Sequence, residues 1–253
     1  MDIVIWTALG VGGATVIGSL IGFAFKKLSH AFKDIVLAFA AGVMLSAAVV
    51  GLVIPSLEYG GRYAILVTIA GVFAGAICLN LVDQLVPHLH RIAGLEREDG
   101  KERKSKNLSK ALLFVVAIAI HNLPEGIATG VGFGSGDTAQ ALIIAGGIAL
   151  QNIPEGMVII APMLAVGMSK KKTFFIASLT GLMEVVGTFI GYFAVSVASV
   201  ILPFALAFAG GTMLYVVSDE MIPETHAHGH QRGATYALLV GFCLMLLTDF
   251  LLG

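Results

Sequence analysis

Runs of about twenty apolar residues, separated by short polar stretches, dominate the sequence. A membrane-spanning helix needs roughly 20 predominantly apolar residues to cross a hydrocarbon core of ~30 Å. Eight such runs predict an all-α polytopic membrane protein with eight transmembrane helices, in a single transmembrane domain over residues 1–253. The predicted helices span approximately residues 3–25, 34–55, 63–87, 111–132, 139–164, 172–196, 200–223 and 233–252.

One long polar segment interrupts these runs. Residues 88–110 include the charged stretch EREDGKERKSK and separate three predicted helices from five. We expect this segment to form a solvated cytoplasmic loop. The other predicted connections are too short to fold as a second domain.

Lysine and arginine are distributed unevenly among the predicted connections. These residues favour the cytoplasmic side of a membrane. Fourteen of the 15 fall on one side, and Arg62 alone falls on the other. The bias predicts a multi-pass protein of the cell membrane, inner or plasma, with both termini outside the cytoplasm. It also supports the count of eight helices, because a miscounted helix would have scrambled the charges.

Composition excludes several classes of protein. Hydrophobic residues make up 57% of the chain and charged residues 12%, against roughly 45–50% and about 25% in soluble domains. These values argue against a water-soluble globular protein and against a disordered chain. The formal net charge of −1 gives no basic field that would attract nucleic acid. Both cysteines lie in apolar runs, so we expect no disulfide framework.

Acidic residues fall within the predicted helices, and six of them are candidates for binding a cation in the membrane interior. All 15 lysine and arginine residues lie in connections or at helix ends. A charged side chain at the bilayer centre costs roughly 2.5–3.5 kcal/mol even on insertion scales. A carboxylate without a protein cation must be protonated, hydrated or neutralised by a bound species. A cation-binding interior accounts for the pattern most simply. The six residues are Asp83, Glu125, Glu155, Glu184, Asp219 and Glu220.

A short motif occurs twice. Residues 121–126 read HNLPEG and residues 151–156 read QNIPEG. Each copy lies near the middle of its own predicted helix, the fourth and the fifth. Because consecutive helices run antiparallel, the copies are predicted to meet at the bilayer midplane in opposite directions. This arrangement is typical of a transporter site between inverted elements.

Each copy of the motif places chemically useful groups on one helical face. His121 and Glu125 are four residues apart, as are Gln151 and Glu155. The proline in each motif frees a backbone carbonyl, and broken membrane helices are tolerated where they line a site. Imidazole, carboxylate and amide oxygens together suit a divalent transition metal. A proton relay through the same groups stays open as an alternative.

These motifs, with eight helices and a polar loop after the third, resemble the ZIP (Zrt/Irt-like) family of metal transporters. The resemblance covers nearly the whole chain. Gln151, where many members carry histidine, is similar to the GufA-like subgroup. The resemblance also includes Glu184 in helix six, residues 42–44 (GVM), Asp83 with residues 87–90 (PHLH), and residues 218–224 (SDEMIPE).

The resemblance implies transport of zinc or a similar divalent ion, such as cadmium, into the cytoplasm. The ion is the substrate, no organic cofactor is expected, and the protein is not an enzyme. The family also implies a ZIP-like bundle with inverted-repeat character, and a homodimer. By position, one ion would be held by Met44, His121, Glu125, Gln151 and Glu155. A second would use Asn122, Glu125, Asn152, Glu155 and Glu184.

Ionisable residues near the helix ends suggest an entrance and an exit for cations. Glu58 and Asp249 fall on the predicted outer side. On the inner side, the stretch HAHGH at 226–230 is typical of exposed metal-binding tracts. The candidates for an exit or auxiliary role are Asp83, His88, His90, Asp219, Glu220, Glu224, His226, His228 and His230.

Two other functions are compatible with buried metal ligands. A metal-dependent intramembrane hydrolase would need two histidines and a glutamate base, as in H-E-x-x-H, and the sequence contains no such string. A non-transporting metal sensor would need an appended soluble domain, although the basic loop at 88–110 offers a surface for a partner. Transport is the preferred interpretation.

Overall fold

The computed structural model describes residues 1–24, 29–92 and 102–252, with only the backbone described at 83, 85–92, 102–114, 117 and 199. This part of the chain is helical and contains no strand. Eight long helices follow one another: α1 Asp2–Ala24, α2 His30–Tyr59, α3 Ala64–Ile92, α4 Glu102–Gly134, α5 Thr138–Ala165, α6 Lys170–Val197, α7 Leu202–His226 and α8 Gln231–Leu252.

Seven helical segments in the described residues are long and apolar enough to cross a membrane. They belong to α1, α2, α3, α5, α6, α7 and α8. Helix α4 begins with the charged stretch ERKSKNLSK and continues into the HNLPEG motif. The prediction of an all-helical, multi-pass membrane protein is therefore confirmed, and an eighth span through α4 stays a prediction.

The predicted polar loop at 88–110 is helical at both ends. Helix α3 continues to Ile92, and helix α4 already begins at Glu102. The difference has a physical reason: lysine, arginine and glutamate are good helix formers, so a helix continues past the point where its sequence stops being apolar. Residues 93–101 lie outside the described part of the chain.

Two helices contain a wider, π-helical stretch. It covers Ala47–Val53 in α2 and Val217–Met221 in α7, and in each helix an Ile-Pro pair follows directly. Proline has no N–H to continue the ladder of hydrogen bonds, which favours a local change of helix geometry. Such stretches are frequent at functional sites, and the one in α7 carries Asp219 and Glu220.

Four helix pairs make the most extensive contacts in the bundle. Helix α4 packs on α6, α1 packs on α5, α2 packs on α8, and α3 packs on α7. Helices α1 and α6 also contact each other, as do α4 and α5. The two copies of the repeated motif therefore lie among α1, α4, α5 and α6.

The glycine that ends each motif allows a very close approach of two helices. Gly126 of α4 faces the carbonyl oxygen of Glu184 in α6, and Gly156 of α5 faces the carbonyl oxygen of Thr15 in α1. A Cβ at either glycine would overlap that oxygen. Small residues at helix interfaces are a general means of close packing in membranes. Here they bring Thr15 and Glu184 next to the motifs.

Replacing Gly156 by alanine should therefore separate α5 from α1. The overlap with the Thr15 carbonyl should lower the free energy of unfolding by about 1–3 kcal/mol. The higher helix propensity of alanine offsets roughly 1 kcal/mol of this loss, so the variant should be less stable than the original chain. Unfolding of the purified protein in mixed micelles with increasing SDS measures the change.

Gly146, ten residues earlier on α5, provides the matched control. Its Cβ position has no neighbouring atom within 4 Å, so Gly146→Ala should be as stable as the original chain or slightly more stable. Equal stability of the Gly156→Ala and Gly146→Ala variants would contradict the close packing of α5 on α1.

Candidate metal-binding site

The two motifs contact each other directly through buried polar side chains. Nε2 of Gln151 in α5 donates a hydrogen bond to Oε1 of Glu125 in α4, at 2.8 Å. Gln151 is fully buried and Glu125 is 1% exposed. The prediction that the fourth and fifth helices bring these side chains together agrees with this contact.

A third carboxylate, Glu184 of α6, lies beside the motifs and accepts three hydrogen bonds. Nδ2 of Asn122 donates to its Oε1 at 2.6 Å, and Nδ2 of Asn152 donates to its Oε2 at 2.5 Å. The hydroxyl of Thr15 in α1 donates to Oε1 at 2.6 Å. All four side chains are completely buried. Neutral donors from three helices therefore surround this carboxylate.

Several acceptor oxygens in the same cluster have no hydrogen-bond partner among the residues that the structure describes. Buried polar atoms are nearly always paired, and leaving one unpaired costs about 1–3 kcal/mol. The unpaired atoms are acceptors, so a cation would satisfy them. They are Oδ1 of Asn122, Oε2 of Glu125, Oε1 of Gln151 and Oδ1 of Asn152.

A cavity of about 530 Å³ reaches this cluster from one end of the bundle. His121 and Glu155 line it at the motifs, and Asp219 and Glu220 line it from the π-helical stretch of α7. Nε2 of His121 lies 2.8 Å from Oε1 of Glu220. The lining continues to the exposed residue Glu224 near the end of α7. The cavity thus provides an acidic path between the motifs and the end of α7.

Met44 lies in the interior of α2 and is 1% exposed. It belongs to the same apolar cluster as Ile148, three residues before Gln151, and Met245 of α8. The structure shows core packing for this methionine, and its role as a ligand stays an expectation from the family resemblance.

The candidate ligands are engaged with one another. Nε2 of His121 lies beside Oε1 of Glu220, Gln151 is hydrogen-bonded to Glu125, and Glu184 is hydrogen-bonded to its neutral donors. Accordingly, no three Cys, His, Asp or Glu side chains in the described part of the chain are arranged to hold one ion. A metal would have to displace some of these hydrogen bonds to be bound.

The predicted entrance residues lie at separate helix ends. Asp249 of α8 is held by α5, because Nε2 of Gln140 donates to its Oδ1 at 3.0 Å. Glu58 is exposed in the last turn of α2. The structure does not describe the side chains of Asp83, His88 and His90.

The histidines after α7 surround a buried carboxylate that was not among the predicted site residues. Asp34 of α2 is 3% exposed, and its oxygens lie 3.0 Å from Nδ1 of His228 and 3.4 Å from Nδ1 of His230. The ring of His30 also packs against that of His228. The sequence did not indicate a site role for Asp34, because this residue stands at the predicted start of the second helix. His226 instead contacts Thr235 and its own helix.

Thr15 is the other site residue absent from the predicted set. It stands alone as a hydroxyl in the apolar stretch GATVIG, without a repeated motif or periodic pattern around it. A polar residue in the middle of a membrane helix is a weak signal, because threonine often bonds to its own backbone there. Its contact with Glu184 spans 169 residues of sequence.

Comparisons with known proteins identify the family of this chain. A family model described as "ZIP Zinc transporter" matches residues 88–249. The chain is 40% identical to zinc transporter GufA of Myxococcus xanthus, over 97% of each chain. It is 35% identical to zinc transporter ZIPB of Bordetella bronchiseptica, over 95% of this chain and 78% of that protein. It is 32% identical to zinc transporter ZIP11 of Homo sapiens, over 95% and 94%. The chain therefore belongs to the ZIP family of zinc transporters.

Proposed function

We propose that this protein carries a divalent transition-metal ion, zinc foremost, across the cell membrane into the cytoplasm through a mid-membrane site between α4 and α5. The observation that carries the proposal is the set of four unpaired, buried acceptor oxygens beside three carboxylates. A divalent cation supplies the charge and the partners that these atoms need. Relatives named as zinc transporters support zinc as the ion.

The first ion position is formed by one face of each motif. Glu125 and Glu155 provide the negative charge, His121 provides an imidazole nitrogen, and Gln151 provides an unpaired amide oxygen. Zinc binds nitrogen and carboxylate oxygen at about 2.0–2.2 Å, so the donor set suits it. Met44 completes this position in the family pattern.

A second ion position uses the opposite side of the same glutamates. A cation between Glu125, Glu155 and Glu184 meets carboxylates from three helices, and Glu184 is linked to both motifs through Asn122 and Asn152. Asn122 and Asn152 contribute amide oxygens that are unpaired in the present arrangement. Glu125 and Glu155 then bridge the two ions.

The cavity beside α7 supports release towards the cytoplasm. Oε1 of Glu220 lies 2.8 Å from Nε2 of His121 and so competes with an ion for this imidazole. Asp219 and Glu224 continue the acidic lining. The exposed histidines after α7 lie at the same end, in line with an exit or sensing role.

The helix contacts support an inverted repeat. Suppose that α1 is exchanged with α6, α2 with α7, α3 with α8 and α4 with α5. The packing pair α4–α6 then becomes α5–α1, and the pair α2–α8 becomes α7–α3, so the set of four main packing pairs stays the same. The π-helical stretches of α2 and α7 correspond under the same exchange. Inverted repeats with a site at their interface are typical of transporters. An eighth span through α4, external termini and a homodimer belong to the same proposal.

Removing either bridging carboxylate should stop transport. In liposomes that contain a metal-responsive dye, Glu125→Gln and Glu155→Gln should lower zinc flux at least about tenfold, since even outer-shell partners contribute 10- to 100-fold to metal affinity. Glutamine keeps the shape of each side chain while its charge is lost. The fluorescence rise after zinc is added outside the liposomes measures the flux.

Asp2→Asn is the matched control for the loss of one carboxylate. Asp2 is exposed in the first turn of α1, outside the cluster, so flux should match the original chain. Full flux in both glutamate variants would rule out this metal site. Tight zinc binding without any flux in the original chain would favour a sensor.

The proposed orientation can be tested by cysteine labelling in intact cells. In a background with Cys78 and Cys243 replaced by serine, Asp2→Cys should react with a membrane-impermeant maleimide. Lys171→Cys should react only after the cells are permeabilised, because lysine-rich connections stay in the cytoplasm. The reverse pattern would contradict external termini and inward transport.

A further inference from the structure

Thr15 on α1 lies against the second motif in the same way as Glu184 on α6 lies against the first. Gly156 of α5 packs against the carbonyl oxygen of Thr15, as Gly126 of α4 packs against that of Glu184. Both Thr15 and Glu184 are completely buried. Two corresponding positions beside the motifs therefore hold different groups, a hydroxyl on one side and a carboxylate on the other.

The Thr15 hydroxyl limits the number of oxygen atoms that Glu184 can offer to an ion. Oε1 of Glu184 accepts hydrogen bonds from both Thr15 and Asn122, each at 2.6 Å. Oε2 accepts one, from Asn152. Each carboxylate oxygen has about two lone-pair sites. Oε1 is therefore saturated, and Oε2 keeps one site for a metal.

We propose that Thr15 is a positioning residue that restricts Glu184 to one-oxygen coordination and thereby favours zinc over divalent ions that need more oxygen ligands. The proposal rests on the transport function proposed above. Zinc is satisfied by about four ligands. Manganese prefers octahedral sites made of oxygen, so a second free oxygen on Glu184 would favour manganese more than zinc.

The test compares zinc and manganese transport by the full chain in liposomes. Thr15→Val keeps the shape of the side chain and removes the donor, which frees a lone pair on Oε1. The ratio of kcat/KM for manganese to that for zinc should rise about three- to tenfold, the effect of one buried hydrogen bond. Thr15→Ser restores a hydroxyl and should restore the original ratio.

Thr212→Val is the matched control for the loss of a buried hydroxyl. Thr212 lies on α7, and its hydroxyl donates to the carbonyl of Ala209 in the same helix. This variant should leave the ratio unchanged. If Thr15→Val does not fold, Thr15→Ala provides the same comparison, because alanine also lacks the donor.

Two results would overturn the proposal. One is an unchanged ratio in Thr15→Val. The other is a change in the ratio that Thr15→Ser fails to reverse. Failure of the transport function gives a different result, namely absence of zinc flux in the original chain. If the original chain binds zinc without transporting it, calorimetry in detergent measures the equilibrium affinities for manganese and zinc instead. The ratio of these affinities should then rise in Thr15→Val and return to the original value in Thr15→Ser.

Discussion

The packing of the bundle interior depends on the buried carboxylate of Glu184. A carboxylate away from water needs donors or a cation, and here α1, α4 and α5 each supply one neutral donor, from Thr15, Asn122 and Asn152. The three hydrogen bonds therefore fix three helices around α6. Any ion that coordinates Glu184 must enter this network, so binding of substrate and packing of these helices are physically connected.

The repeated motif makes this network possible by combining three different physical effects. Its proline disturbs the helical hydrogen bonding, its glycine admits a neighbouring backbone, and its asparagine donates a hydrogen bond to Glu184. Gly126 and Gly156 draw α6 and α1 towards the motifs, and the polar side chains of those helices can then reach each other. A bulkier residue after the glutamate would separate the ligands as well as the helices.

Hydropathy predicts much of the fold. For example, α5 was predicted at 139–164 and covers Thr138–Ala165. The motif residues were also recognisable, because a similar six-residue pattern occurs twice, near the middle of consecutive predicted helices. The missed residues depend on contacts distant in sequence. Thr15 meets a partner 169 residues away and Asp34 one 194 residues away, and no local pattern encodes such pairs.

The site is built symmetrically but its chemistry is unequal. His121 corresponds to Gln151 in the two motifs, and Glu184 corresponds to Thr15 on the helices that pack against them. A carboxylate in place of Thr15 would add a fourth buried negative charge, at a cost of several kcal/mol or more without a compensating cation. The hydroxyl instead donates a hydrogen bond to the carboxylate already present. The unequal pairs therefore limit the buried carboxylates of the cluster to three, and the imidazole lies beside Glu220, which lines the cavity.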